Sequence, residues 1–512
     1  MSSEVHRQLG HLARGGSIGI VGAIVSAVAS FLLVVLITHT FDQATAGELF
    51  AASSLFIVLL SATCLGADVG LGRFVLRYVA AGRPDAVRVC VTDAFRLVLL
   101  VSVAISAAIA IASPLVAGWM GLREHQGAQM LVIFAICLPA STMGALALSA
   151  SRAFGSIMPT VLIDRLGRSL LQPALVLLVG VLGGGIIVLT IAWVAPYVLA
   201  AVAAVVVLLR ILDHRTSRSA GKPEDSRAIR RDFWSFNWPR AIASVSQIAI
   251  QRADIIIIGA MISPSAAAVY TAATRFVVLG QFGTQAIQQV LQPQITHLLA
   301  TNQMDVFKRV FKVSTAWNVG IAWPIYLAIG CAPAVYLSVF GGGFSEQGVP
   351  TVVVMMFGML VGIFSGPVDT VLLMAGRSTV SLVNSLVALV VDLGLCLILI
   401  PRLGITGAAI AWALAVVVRS ALGYLQVRRT MAVTPVSSAS FVTAAASVVC
   451  FGLPMLALSL TGHATVRWFV LVGVAGCVVY GLLLYLGRRS LHLRALRGLF
   501  QRKPLSMDEP TA

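Results

Sequence analysis

Long apolar stretches alternate with short polar segments along this chain. A helix of roughly 20 apolar residues crosses about 30 Å of hydrocarbon, because each residue adds about 1.5 Å. The pattern therefore predicts an all-α integral membrane protein with about 14 transmembrane helices. Their approximate positions are residues 18–38, 48–66, 95–118, 128–150, 169–185, 187–209, 238–262, 266–292, 314–340, 350–374, 379–400, 406–427, 438–461 and 466–487.

Internal similarity divides the first twelve helices into two lobes of six. Ala51-Ala52-Ser53 matches Ala272-Ala273-Thr274, and Ile191-Ala192-Trp193 matches Ile410-Ala411-Trp412 at nearly the same offset. Each match pairs one helix with the sixth helix after it, which predicts duplication of a six-helix unit. The expected domains are an N-terminal six-helix lobe (1–212), a flexible cytoplasmic linker (213–236), a C-terminal six-helix lobe (237–430), two extra transmembrane helices (431–487) and a basic cytoplasmic tail (488–512).

Composition and charge support the membrane assignment and indicate its orientation. Hydrophobic residues make up 59% of the 512, charged residues 11%, and the mean hydropathy is +0.96, which excludes an ordinary soluble domain. The formal net charge of +17 does not predict a nucleic-acid partner, because the basic residues alternate with the apolar stretches. Only Arg123, Arg402 and Arg467 fall on the opposite side from the other basic loops, so the positive-inside rule places both termini in the cytoplasm. Those basic loops can contact anionic membrane lipids.

Two neighbouring helices carry polar stripes that a lipid environment would not favour. Within residues 238–262 and 266–292, polar side chains recur at steps of three or four, the spacing of one helical face. The short turn Ser263-Pro264-Ser265 makes the two helices antiparallel neighbours, so we expect both stripes to line one cavity. The stripes are Arg240, Ser244, Gln247, Gln251 and Asp254 in the first helix, and Thr274, Gln281, Gln285, Gln288 and Gln292 in the second.

Two arginines flank these stripes. An arginine at the bilayer centre costs at least about 2.5 kcal/mol on insertion scales, so Arg252 and Arg275 are expected to face a partner or a water-filled cavity. Guanidinium groups suit phosphate, whereas amides suit sugar hydroxyls. The predicted substrate-binding residues are accordingly Arg252, Arg275, Gln247, Gln251, Gln281, Gln285 and Gln288.

Three aspartates are candidates for coupling transport to an ion. Helical rise places Asp254 level with Arg275, which allows two readings. The pair is either an ion pair that only fixes packing, or a carboxylate that takes up a proton when the substrate draws the arginine away. Asp392 and Asp369 are the competing candidates. Asp369 follows a glycine-rich run that ends at Pro367, so its helix is expected to be tightly packed and kinked.

Motifs for enzymatic and cofactor chemistry are missing from the sequence. HExxH, GxxxxGK[ST] and GxGxxG do not occur, so we expect no enzyme activity, no cofactor and no ATP-driven step. The seven cysteines are scattered without a CxxC pair. This pattern predicts packing residues and no metal site or disulfide.

Three segments carry a resemblance to a known family. They are Gly70-Leu71 to Arg77, Gln251-Arg252-Ala253-Asp254 to Tyr270, and Pro401-Arg402-Leu403-Gly404-Ile405-Thr406-Gly407-Ala408-Ala409. Together with the 6 + 6 + 2 arrangement, they resemble the polysaccharide transporter (Wzx-type) lipid-linked oligosaccharide flippases of the MOP superfamily. The resemblance covers nearly the whole chain.

The resemblance implies a function in cell-surface polysaccharide biosynthesis at the bacterial cytoplasmic (inner) membrane. An undecaprenyl pyrophosphate-linked repeat unit would cross from the cytoplasmic to the periplasmic leaflet by alternating access between the two lobes. The resemblance also implies a cavity lined by helices one, two, seven and eight, and contact with the polysaccharide polymerase machinery.

Two other functions remain open at the level of sequence. A cation-coupled multidrug or small-molecule antiporter of the same superfamily would bind free cationic compounds, but the first helix lacks the acidic residue that many of these exporters use. A membrane glycan polymerase would need a large external loop with acidic, basic or arginine groups, and no such loop is present in the sequence.

Overall fold

A computed structural model describes residues 2–216, 226–461 and 465–486, and in this part of the chain no β-strand occurs. The α-helices are α1 (Ser2–Thr40), α2 (Gln43–Thr63), α3 (Ala67–Ala80), α4 (Pro84–Trp119), α5 (Glu124–Ala153), α6 (Ser169–Val181), α7 (Ile186–Thr216), α8 (Ser226–Met261), α9 (Pro264–Ala300), α10 (Met304–Cys331), α11 (Pro333–Ser338), α12 (Phe344–Phe364), α13 (Val368–Met374), α14 (Ser378–Leu403), α15 (Ile405–Met431), α16 (Ser438–Ser447), α17 (Leu453–Leu460) and α18 (Val466–Leu486). Two π-helical segments, Thr160–Arg168 and Val448–Gly452, precede α6 and α17.

The helices confirm the prediction of an all-α integral membrane protein. Each of the fourteen predicted stretches overlaps helical residues. Among the described residues, eleven helical spans are long and apolar enough to cross a membrane. Large apolar side chains such as Ile111 and Leu115 are exposed on these helices, as expected of surfaces that face hydrocarbon.

The chain divides into two compact units. The first unit comprises Met1–Arg275, Val339–Thr351 and Ser385–Trp412, and the second comprises Phe276–Ser338, Val352–Asn384 and Ala413–Ala512. This division differs from the expected lobe boundaries, because α8 and the start of α9 group with the N-terminal helices. The proposed duplication of a six-helix unit stays a prediction.

The core of the first unit positions its polar groups. Leu71, Phe74 and Phe233 belong to one buried cluster that joins α3 and α8. A second aromatic group brings Phe56 of α2 against Trp193 of α7, with ring centroids 6.0 Å apart. These contacts hold α2, α7 and α8 in fixed positions within the unit.

The second unit is built around another apolar cluster, in which Ile295, Phe311 and Val371 connect α9, α10 and α13. Here the predicted kink is confirmed. Helix α12 ends at Phe364, Gly366 adopts a positive φ of 76°, and α13 begins at Val368. A side chain at Gly366 would be strained, because that backbone conformation disfavours residues with a Cβ atom.

The predicted flexible linker from 213 to 236 is wrong over much of its length. Residues 213–216 end α7 and residues 226–236 begin α8, while residues 217–225 and the predicted basic tail lie outside the described residues. The physical reason is packing: Phe233 is buried, and Asp93 accepts hydrogen bonds from Arg230 Nε (2.8 Å) and Trp234 Nε1 (3.3 Å). The polar residues of this stretch therefore form the amphipathic first part of α8.

The helix that leads into α6 begins as a π-helix. The amide N–H of Ser169 bonds to the Asp164 carbonyl, five residues back, as in a π-helix. The segment lies just before Pro173, whose ring removes an amide donor from α6. This irregular stretch places Arg168 on the wall of the cavity described next, with Asp164 as its hydrogen-bond partner.

Candidate functional site: a cavity lined by arginines

A polar cavity of about 210 Å³ lies inside the first unit. Residues of α1, α2, α6, α7, α8 and α9, and of the π-helical segment before α6, form its wall. Phe50, Trp193 and Tyr197 supply its aromatic part. Among the described residues that line it, none is acidic, and the polar ones are Arg168, Arg252, Arg275, Ser26, Ser30, Ser53, Ser169 and Gln172. We call this site the arginine cavity.

Arg168 is held from two sides. Its Nε donates a hydrogen bond to Asp164 Oδ1 at 2.6 Å, and its guanidinium carbon lies 4.5 Å from the centre of the Tyr197 ring. The Tyr197 ring is itself stacked on Trp193, at 5.2 Å between centroids and an interplanar angle of 21°. Because Nε and one face of the guanidinium are engaged, the terminal Nη atoms remain as donors for a ligand in the cavity.

The two arginines that the sequence singled out meet in the same cavity. Arg252 comes from α8 and Arg275 from α9, where its Nε donates to the Thr271 carbonyl at 3.3 Å. Guanidinium groups stay protonated in proteins and offer forked N–H donors. Three of them beside serine hydroxyls suit a ligand with several anionic oxygens, such as a phosphate ester.

The predicted glutamines do not all join this cavity. Gln247 lines a second cavity of the first unit, and Gln251 is exposed on α8. The other three lie in the part of α9 that belongs to the second unit: Gln285 is exposed, whereas Gln281 and Gln288 are half-buried. Their role in substrate binding stays a prediction.

Asp254 and Asp392, two of the candidates for coupling transport to an ion, lie together in the first unit. One carboxylate oxygen of Asp254, one of Asp392 and the Sγ atom of Cys396 all lie within 4.8 Å of one another. Tyr270 donates its hydroxyl to Asp254 Oδ2 at 2.6 Å, and Cys396 Sγ donates to Asp254 Oδ1 at 3.5 Å. Asp254 is only 2% exposed and Asp392 is fully buried. We call this group the carboxylate cluster.

The hydrogen-bond partners of Asp254 differ from the one that the sequence suggested. Sequence placed Asp254 level with Arg275, but the hydrogen bonds of its carboxylate within the described chain go to Tyr270 and Cys396. Both carboxylate oxygens of Asp392 lack a hydrogen-bond partner among the described residues. Two ionised carboxylates repel one another strongly in a buried site, so a shared proton or a small cation would stabilise the cluster.

Asp369, the third candidate, has a different environment. Its carboxylate contacts Arg419 at 2.5 Å, within the second unit, and both side chains are about 30% exposed. A carboxylate with a close cationic partner is already compensated. The geometry therefore favours a structural ion pair for Asp369.

Sequence reasoning missed Arg168, Tyr197 and Trp193. Arg168 falls in a segment that hydropathy assigns to a loop, because the π-helical start of this helix is polar. Asp164 and Arg168 are four residues apart and carry opposite charges. That spacing, immediately before an apolar stretch, is the signal that could have indicated an ordered helix start.

Comparisons with known proteins agree with this architecture. A family model described as polysaccharide biosynthesis protein matches residues 12–299, more than half of the chain. No curated protein sequence matches this chain. A solved structure of a lipid II flippase MurJ, in an inward closed conformation, is 13% identical with a TM-score of 0.70, over 92% of this chain and 98% of that one.

Two further solved structures share the fold. An inward-facing multidrug resistance MATE family transporter of the MOP superfamily is 15% identical with a TM-score of 0.63, over 80% of this chain and 94% of its own. A MOP superfamily transporter from Pyrococcus furiosus, described as having a binding pocket of reverse polarity, is 14% identical with a TM-score of 0.57, over 82% and 95%. Such low identities establish the fold and not the substrate.

Proposed function

Because this chain belongs to the polysaccharide biosynthesis protein family of the MOP superfamily, we propose that it is a flippase for lipid-linked oligosaccharides. Its substrate is a polyprenyl-pyrophosphate-linked repeat unit, which moves from the cytoplasmic to the periplasmic leaflet of the bacterial inner membrane. Both termini are cytoplasmic in this proposal. The chain acts as a transporter and not as an enzyme.

The arginine cavity is the observation that carries this proposal. Arg168, Arg252 and Arg275 line one cavity within a unit that exposes apolar helices. Asp164 already compensates Arg168, but the lining as a whole carries three guanidinium groups and no carboxylate among its described residues, which favours an anionic ligand. A pyrophosphate diester supplies two negative charges and several acceptor oxygens, and its polyprenyl chain can remain in the surrounding hydrocarbon.

The carboxylate cluster supports ion coupling of the same cycle. Asp254 and Asp392 are too close for both to be ionised without a compensating charge. Uptake of a proton by this pair during one part of the cycle would link transport to the proton gradient. Cysteine and carboxylates are also potential metal ligands, but the Tyr270 hydroxyl already occupies one Asp254 oxygen.

Depletion of the protein in the organism that makes it tests the flippase function. Lipid-linked saccharides should accumulate and stay protected from an impermeant periodate oxidant added to spheroplasts. A copy with Arg252→Ala and Arg275→Ala should fail to reverse the accumulation, whereas Arg402→Ala should reverse it, because Arg402 is exposed at the end of α14. Depletion without accumulation would reject the proposal.

A cation-coupled antiporter is the second candidate, and the carboxylate cluster is the observation that favours it. The arginine cavity argues against it, since three guanidinium groups would repel a cationic drug. Binding of ethidium to the purified protein, with no binding of undecaprenyl pyrophosphate, would favour the antiporter.

A further inference from the structure

A second cavity of about 390 Å³ lies inside the first unit. Leu60 and Ser61 of α2 and Ile248 of α8 form part of its wall. The arginine cavity uses Ile57 of α2 and Arg252 of α8. Leu60 follows Ile57 by three positions on α2, and Arg252 follows Ile248 by four positions on α8. The two cavities therefore follow one another at a distance of about one helical turn, roughly 5 Å.

The second cavity has the opposite chemistry to the arginine cavity. Its polar lining consists of one carboxylate, two hydroxyls and one amide, from Asp68, Ser61, Ser244 and Gln247. No basic side chain is among the described residues that line it. The cavity therefore offers mainly acceptors, whereas the arginine cavity offers mainly donors.

Asp68 has an unsatisfied acceptor in this position. Its Oδ1 is shielded from solvent and has no hydrogen-bond partner within the described chain. Arg152 interacts with Asp68 electrostatically. It forms no ion pair with Asp68 within 4 Å in the described chain and donates instead to Thr160 Oγ1 at 3.2 Å. A buried carboxylate oxygen without a donor is unfavourable, and a ligand that brings hydroxyl or amide N–H groups would satisfy it.

The backbone around Asp68 is fixed. Asp68 lies in the first turn of α3, and its carbonyl accepts a hydrogen bond from Ser149. Gly66, which precedes the helix, has a φ of 70° and packs against the α8 backbone, where a Cβ atom would lie 2.6 Å from the Asn237 carbonyl oxygen. Asp68 is therefore held beside α8, with Ser244 and Gln247 on the same cavity wall.

We infer that this second cavity is the subsite for the first sugars of the lipid-linked oligosaccharide, with Asp68 as its specificity-determining residue. In a glycosyl pyrophosphate, the sugar ring is bonded directly to the phosphate through its anomeric oxygen. A ligand whose pyrophosphate occupies the arginine cavity brings its ring to the adjacent cavity. There Asp68 accepts from ring hydroxyl or N-acetyl N–H groups, and Ser244 and Gln247 complete the hydrogen bonding. This inference rests on the proposed flippase function.

Binding to the full-length protein in nanodiscs tests the subsite. The probes are undecaprenyl pyrophosphate alone and the same lipid carrying N-acetylglucosamine, glucose or galactose. Wild-type protein should bind at least one sugar-bearing probe more tightly than the bare lipid. Asp68→Asn should reduce that difference about tenfold, because it removes a charge-assisted hydrogen bond, and should leave the bare lipid's affinity unchanged.

Asp85→Asn is the matched control, since Asp85 also lies in the first turn of a helix, α4, but pairs with Arg83 on the protein surface. It should leave the affinity for every probe unchanged. If Asp68→Asn does not fold, Ser244→Ala and Gln247→Ala provide the same comparison, each with a loss of severalfold confined to the sugar-bearing probes.

The outcomes separate this inference from the proposed function. Absence of binding by undecaprenyl pyrophosphate itself would reject both. The bare lipid could bind tightly with no gain in affinity from any sugar, or with a gain that the Asp68, Ser244 and Gln247 variants all retain. Either result would reject the sugar subsite and leave the flippase proposal standing.

Discussion

Arg252 and Asp254 lie two residues apart on α8, yet their surroundings are opposite. Arg252 lines the arginine cavity, whereas Asp254 is enclosed in the carboxylate cluster with Tyr270 and Asp392. Side chains two residues apart on a helix point about 200° apart around its axis. Opposite sides of α8 therefore serve two sites, of which one suits an anion and the other holds carboxylates that need a proton or a cation.

The largest effect is expected where the arginine cavity loses two guanidinium groups. Arg252→Ala combined with Arg275→Ala should weaken binding of undecaprenyl pyrophosphate by roughly 100-fold or more, since each hydrogen bond to a charged group contributes about 1.5–3 kcal/mol. Lysine at both positions should restore only part of the affinity, because it lacks the fork. Calorimetry in nanodiscs measures this, with Arg402→Ala as the control. Unchanged affinity in the double alanine variant would remove the anion site.

The carboxylate cluster should respond in the opposite manner, with coupling lost and binding kept. Asp254→Asn and Asp392→Asn should each reduce the stimulation of flipping by a pH gradient roughly tenfold, a middle value for coupling between sites. Binding of undecaprenyl pyrophosphate should persist in both. Proteoliposomes with an imposed gradient provide the measurement. A double variant that keeps its full gradient response would show that the cluster is structural.

A smaller effect is expected from the residue that positions Arg168. Tyr197→Leu should weaken binding of undecaprenyl pyrophosphate roughly fivefold, because the cation–π contact is lost. Tyr197→Phe keeps the ring and should bind nearly as well as the wild type. If the leucine variant binds like the phenylalanine variant, Tyr197 does not orient Arg168.

The smallest functional effect is expected at Asp369. Asp369→Asn should lower the melting temperature by roughly 2 °C, as expected for a partly exposed ion pair, without changing the gradient response. Adding Arg419→Gln should recover the stability. Loss of gradient-dependent flipping in Asp369→Asn would return this residue to the coupling candidates.

Sequence patterns identified the features that depend on local periodicity. Apolar length predicted the helices, the run ending at Pro367 predicted the break between α12 and α13, and the cost of burying cations led to Arg252 and Arg275. Hydropathy could not distinguish a loop from the amphipathic helix start at residues 226–236, because both are polar. The approach of Asp392 to Asp254 is a tertiary contact between distant segments, and a single sequence carries no signal for it.

The π-helical segment before α6 has a consequence for how this chain compares with its relatives. A π-helix holds an additional residue in each hydrogen-bonded ring relative to an α-helix. It can therefore accommodate the insertion of one residue within the helix, without forming a loop. Removing one residue between Thr160 and Arg168 would let the segment close as an α-helix and turn Arg168 by about 100°, away from Tyr197. In a family member that lacks this residue, the side chain that follows the segment should therefore point in a different direction, and an alignment that forces these columns together would pair residues that do not share a place in the cavity.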